Sequence, residues 1–209
     1  MLEIVRKYYS ADDYFGCSYE TRRLSQEDAI VLASQRAAGG PKKELETNAP
    51  CFTTLCYKSL FSSRHVPAID IDGAEEYAFA TKCLKEIHKV NYIEVESSPG
   101  HWWIFIDWSL PFKRAIDLVR TIGGRDEDHT ILAKHYKRFL FRAFPKIRGN
   151  YPRFFGKMPN DPEVAKWYVE LVNYFSSSGF ESIKNYLPLE KEKLDNCEQK
   201  DTGKFSLPF

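Results

Sequence analysis

Apolar residues recur along this chain at two spacings, and the two sort it into helices and strands. Residues 74–89 (AEEYAFATKCLKEIHK) carry Tyr77, Ala80, Leu84 and Ile87 at the three-and-four spacing of a helix with one buried face. A second helix opens at Asp161-Pro162, with Asp as cap and Pro in the first turn. It puts Val164, Trp167, Tyr168, Leu171, Val172 and Phe175 on one stripe and stops before Gly179. Residues 112–121 and 127–137 also read as helical, with Gly123-Gly124 between them. Ser25-Gln-Glu-Asp28 is a capping-box-like start to a further helix, closed by Gly39-Gly40-Pro41.

The strand spacing is two. HVPAIDIDG reads as a strand with Ile69 and Ile71 on one face and Asp70 and Asp72 on the other. NYIEVESS and HWWIFIDW are separated only by Pro99-Gly100, which predicts a hairpin of antiparallel neighbours. RFLFRAFPK is strand-like and YPRFFGK reads as its hairpin partner, while CFTTLCYKSLF is ambiguous between strand and short helix. The middle of the chain is therefore β-α-β-β-α-α-β-β, an α+β fold with a mostly antiparallel sheet.

The 209 residues suffice for one domain, placed at 1–187, with 188–209 as a polar, flexible tail ending in KFSLPF. Net charge is +1, so bulk charge names no partner. No run approaches the ~18–20 apolar residues of a membrane span, and the acid-bearing first residues lack the apolar stretch of a secretory signal. The five cysteines are odd in number and scattered, which points to reduced thiols in a cytoplasmic (or nucleoid or nuclear) chain. Cys51 and Cys56 have no second pair at zinc spacing, so no zinc is expected.

Charge distribution changes the picture. Asp70 and Asp72 leave one face of a strand about 6–7 Å apart, where two carboxylates repel unless a cation such as Mg²⁺ or Mn²⁺ lies between them. A solvated strand end explains the same pattern. Ser98-Pro-Gly-His101 sits at the hairpin tip, where an imidazole and turn amides can meet a phosphate oxygen. Gly123-Gly124-Arg125-Asp126-Glu127-Asp128 adds carboxylates, although acids at a helix start also suit its dipole. Residues 134–157 hold eight Lys or Arg, no acid and seven aromatics, whereas residues 67–98 hold seven acids and three Lys. Bases neutralise phosphates and aromatics stack on nucleobases, but a solvated basic face over an aromatic core fits as well.

In this order the pieces resemble the catalytic core of the archaeo-eukaryotic primase superfamily, over roughly residues 64–157. Ala68-Ile-Asp70-Ile-Asp72-Gly73 is similar to its first motif, and Ser98-Pro-Gly-His101 followed by WWIFI to its second. Asp126 with Thr130, then Phe139-Leu-Phe-Arg142-Ala-Phe-Pro145-Lys146, is similar to its third. The resemblance implies an RRM-like sheet with packed helices and a primase-polymerase-like core. It implies two Mg²⁺ or Mn²⁺ ions on Asp70, Asp72 and Asp126, with Asp128 as a substitute for Asp126. Ser98, His101, Arg142 and Lys146 would then hold nucleotide, and Arg138, Arg148, Arg153 and Lys157 nucleic acid. The implied activity is metal-dependent, DNA-templated nucleotidyl transfer, as primase or DNA polymerase. Its partners would be a single-stranded DNA template, nucleoside triphosphates and a separate helicase or sliding clamp, with no membrane. Two alternatives stand beside it: a replication accessory protein that binds nucleic acid without chemistry, and a haloacid-dehalogenase-like phosphatase built on Asp70 and Asp72.

Overall fold

The computed structural model describes residues 2–8, 20–25, 28, 31, 50–143, 152–155 and 157–177. The tail from residue 188, Lys146 and Arg148 lie outside that set, as does the end of the last helix at Gly179. So does nearly all of the helix expected after Ser25; there Ser25 Oγ accepts from the Asp28 N–H at 3.0 Å, the capping contact the sequence called for.

Among the described residues, three antiparallel sheets carry the fold. The first orders its strands β10-β3-β1-β2, from Leu140–Arg142, Pro50–Thr53, Ile4–Tyr8 and Glu20–Leu24. The second is β11-β7-β8-β6, from Arg153–Phe155, Tyr92–Ser98, His101–Ile106 and Ala68–Ile71. A small third sheet joins β4 (Leu55–Lys58), β5 (Ser63–His65) and β9 (Leu110–Pro111). The described helices include α1 (Ala74–Lys82), which runs on into a π-helical segment (Cys83–His88), α2 (Phe112–Arg120), α3 (Glu127–Tyr136) and α4 (Pro162–Ser177). The chain is thus α+β with antiparallel sheets, as its pattern predicts.

β8 explains its own composition. It lies between β7 and β6, and its residues Trp103 to Ile106 are buried on both faces. A strand covered on both sides reads as a continuous apolar run, which is what HWWIFI is. The ambiguous CFTTLCYKSLF becomes two strands, β3 and β4. Phe52 on β3 lies within about 6.5 Å of Trp103 and Phe105 from the second sheet, and of Phe141, Trp167 and Phe175, so one ring ties both large sheets to α4. The α4 stripe is buried as its spacing predicts, and Trp167 Nε1 donates to the Thr53 carbonyl at 3.0 Å.

Three expectations are corrected. HVPAIDIDG is not one strand: His65 ends β5, and Pro67, with no N–H to give a ladder, separates it from β6. YPRFFGK does not pair back on RFLFRAFPK. β10 pairs with β3 instead, and β11 pairs with β7, where Arg153 meets Glu96 at 3.6 Å. Finally, Ile87 is 70% exposed. The helix widens to a π-helix over Cys83–His88, and with more residues per turn Ile87 falls off the Ala80–Leu84 stripe while Cys83 is buried.

Candidate functional site

A cleft of ≈ 270 Å³ opens where β6, the β7–β8 hairpin, the start of α3 and β10 meet. Asp70, Asp72, His101, Asp126, Asp128 and Arg142 all line it, with Trp103, Leu140, Phe141 and Cys51 among its apolar walls. Each comes to the cleft for a local reason. Ile69 and Ile71 are fully buried, so strand alternation sends Asp70 to the opposite face. Gly100 at φ +77 makes the tight turn that returns the chain antiparallel and opens β8 at His101.

The Gly123-Gly124 pair brings in the third acid. Gly124 has φ +75, and a Cβ on it would stand 2.2 Å from the Glu76 carbonyl oxygen, so only glycine lets this loop lie against α1. A Cβ on Gly123 would enter the Phe79 ring. From that approach the Asp126 N–H donates to the Asp70 carbonyl at 2.9 Å.

Asp72 and Asp126 each have a defined partner. Asp72 Oδ1 and His101 Nδ1 are 2.6 Å apart, a contact that fixes the ring plane and leaves its Nε2 edge for a ligand. Asp126 caps α3 by accepting from the Asp128 N–H at 2.8 Å. Four carboxylates are the hard oxygen donors that Mg²⁺ and Mn²⁺ take, so the donor chemistry fits the implied cations. Among the described residues, however, no three His, Cys, Asp or Glu side chains stand together as a ready metal-holding group.

The other expected site residues lie elsewhere. Ser98 is buried and Ser97 lines the cleft instead. The β7–β8 register slips between Glu96 and Ser98, so Ser97 is the extra residue of a bulge, donating from Oγ to the His101 carbonyl at 3.3 Å. Arg138 pairs with Glu3 at 3.0 Å and Arg153 with Glu96, both away from the cleft lining. Lys157 is exposed and also outside that lining. Of the aromatics interleaved with these bases, Phe139, Phe141 and Phe154 are buried in the core. Asp107, on the β8 side, accepts from the Asn160 and Asp161 N–H groups and anchors the start of α4.

Sequence reading missed His129. It follows Asp126 by three residues, the same face of α3, which was the available signal. Its ring lies 4.7 Å from Phe141, and its Nε2 is 3.1 Å from the Leu140 carbonyl, fastening α3 to β10 across the cleft wall. Cys51, which lines the cleft, is a free thiol, as are Cys56 and Cys83 outside its lining. Burial, then the carboxylates of Glu163 and Asp161, push Cys56 up to about 12, unlike a thiolate ligand. No helix of the described residues is long and apolar enough to cross a membrane. No family model, curated protein or solved structure matches the chain.

Proposed function

We propose that this cleft is the catalytic centre of a metal-dependent, DNA-templated nucleotidyltransferase of the primase-polymerase kind. One observation carries the reading: four aspartates, His101 and Arg142, from stretches of chain far apart in sequence, line a single cleft. Four acids beside a cation suit a polyphosphate held through divalent ions, with a guanidinium on phosphate oxygens. The β6-α1-β7-β8 order, with β8 between β6 and β7, is the beginning of a split β-α-β-β unit, which supports the RRM-like core.

Asp70, Asp72 and Asp126 would hold Mg²⁺ or Mn²⁺, with Asp128 in reserve. When bound, the ions supply charge neutralisation of the triphosphate and activation of the attacking hydroxyl. His101, oriented by Asp72 through Nδ1, presents its Nε2 edge to a phosphate oxygen. Arg142 binds the outer phosphates. Trp103, Leu140 and Phe141 keep water from the wall behind them. Single-stranded DNA is the template, and a helicase or sliding clamp would act from a separate chain.

A second reading, nucleic-acid binding without chemistry, is favoured by the structural partners that Asp72 and Asp126 already have. The phosphatase reading needs a parallel sheet, and β6 pairs antiparallel with β8. The test is incorporation of labelled nucleotides on single-stranded DNA with Mg²⁺ or Mn²⁺, with and without a primer. We expect wild-type product and none from Asp70→Ala/Asp72→Ala. Product without a primer would make the protein a primase as well. DNA binding with no incorporation under either metal would leave the second reading.

A further inference from the structure

The β4–β5 turn, well outside the cleft lining, carries the most exposed apolar side chains among the described residues: Leu60 at 95% and Phe61 at 97%. Water is a poor place for a leucine and a phenylalanine side by side, yet the turn that holds them is firmly built. Ser59 Oγ accepts from the Phe61 N–H at 3.3 Å and the Ser62 N–H at 3.0 Å, and the Ser59 N–H donates to the Ser62 carbonyl at 2.8 Å. The backbone presenting the two side chains is therefore ordered before anything binds, which lowers the entropy lost on binding.

Charge narrows the partner. Residues 47–69 contain no Asp or Glu, while Lys58 on β4 is exposed and Tyr57 beside it is 43% exposed. Helix α2, packed against β5, adds exposed Lys113 and Arg114. An aromatic tip with an aromatic stem, a serine collar and nearby cations suits a polyanion with flat apolar faces. Dimerisation through the tip is disfavoured: two such side chains bury on the order of 300–400 Å², against about 800 Å² per partner in a stable dimer.

We propose that the Leu60-Phe61 turn is a nucleic-acid contact, in which Phe61 stacks on an unpaired base and Lys58 neutralises an adjacent phosphate. The contact is separate from the cleft and does not require the cleft to be catalytic.

Fluorescence anisotropy of labelled single-stranded DNA against the full chain tests it, in wild type and in an Asp70→Ala background. Phe61→Ala, at a side chain that supports no core, should weaken binding about tenfold or more in both backgrounds, and Phe61→Trp should restore it. The indole introduced by that second variant should lose emission on binding, as a ring stacked on a base does. Ser59→Ala should weaken binding less than Phe61→Ala, and Lys58→Ala should lower the salt slope by about 0.7. Equal DNA affinity for wild type and Phe61→Ala would overturn the proposal. Loss of binding to anionic vesicles with DNA binding unchanged would reassign the turn to a membrane surface. Loss of self-association on sedimentation would reassign it to a second copy of the chain. Failure of nucleotide incorporation with these DNA results intact would count against the cleft reading alone.

Discussion

Replacing Gly124 by alanine presses directly on the junction that delivers Asp126 to the cleft. Gly124 has φ +75, a conformation costing a non-glycine residue roughly 1–2 kcal/mol. Gly100 has nearly the same conformation, φ +77, with nothing within 4 Å of a prospective Cβ. At Gly124 the Cβ would stand 2.2 Å from the Glu76 carbonyl oxygen, helix backbone that cannot swing aside like a side chain. Reaching 3.0 Å requires the loop and α1 to part by about 0.8 Å, and the Asp126 N–H to Asp70 carbonyl bond, now 2.9 Å, lies on the same loop. Losing that bond costs about 1 kcal/mol more. Gly100→Ala should therefore destabilise by about 1–2 kcal/mol and Gly124→Ala by about 2–3 kcal/mol. Urea unfolding at pH 7 measures both. Nucleotide incorporation should fall further in Gly124→Ala than its folded fraction explains. Equal losses in the two variants would refute the reasoning, because the difference between them is the contact with α1.

His65 is 5% exposed and is held down to about 4, first by burial and then by the Arg138 charge. The unfolded chain then binds the proton more readily, so stability falls as pH drops from about 6.5 towards 4. Urea midpoints should show a loss of about 2 kcal/mol between pH 7 and 5, absent in His65→Gln. Burial raises Asp161, but hydrogen bonds from Ser109, Val164 and Glu163 outweigh it and hold the carboxyl below its usual value. Asp161→Ala should cost about 2 kcal/mol by removing the α4 cap, and Asp161→Asn less, on thermal or urea unfolding. Ile87→Lys should leave stability within about 0.5 kcal/mol, whereas Leu84→Ala should cost about 2–5 kcal/mol. Similar losses at both positions would mean that the helix stays α through residue 88.

What could be read from the sequence was what short-range chemistry decides. The Pro99-Gly100 hairpin, the Asp161 cap and the α4 stripe depend on residues a few positions apart, and all were legible. So was the alternation that turns Asp70 to the cleft face while burying Ile69 and Ile71. The partners of β10 and β11 were not, since pairing across sheets depends on which distant face is free, and Arg142 could equally have faced β11. The Ser97 bulge was hidden because one extra residue on a strand leaves no mark in composition. The Arg138–Glu3 pair, which joins residues 135 apart, likewise leaves no local mark. The widening after Lys82 was equally silent, because its sequence is as good an α-helix as any.

The tie between Trp167 and the Thr53 carbonyl spans 114 residues, and Tyr174 closes on the Ala143 carbonyl in the same late stretch. On a ribosome, Phe52 therefore emerges long before the helix that covers it. Until residue 175 is made, the nascent chain holds a strand edge and an uncovered aromatic cluster together, the combination most prone to aggregation. Loop-closure entropy over such distances also slows folding once the chain is complete. Production of this protein should thus respond to translation speed and chaperone supply more than its final stability suggests. Chains released before α4 should be cleared or aggregate rather than accumulate as a smaller folded form.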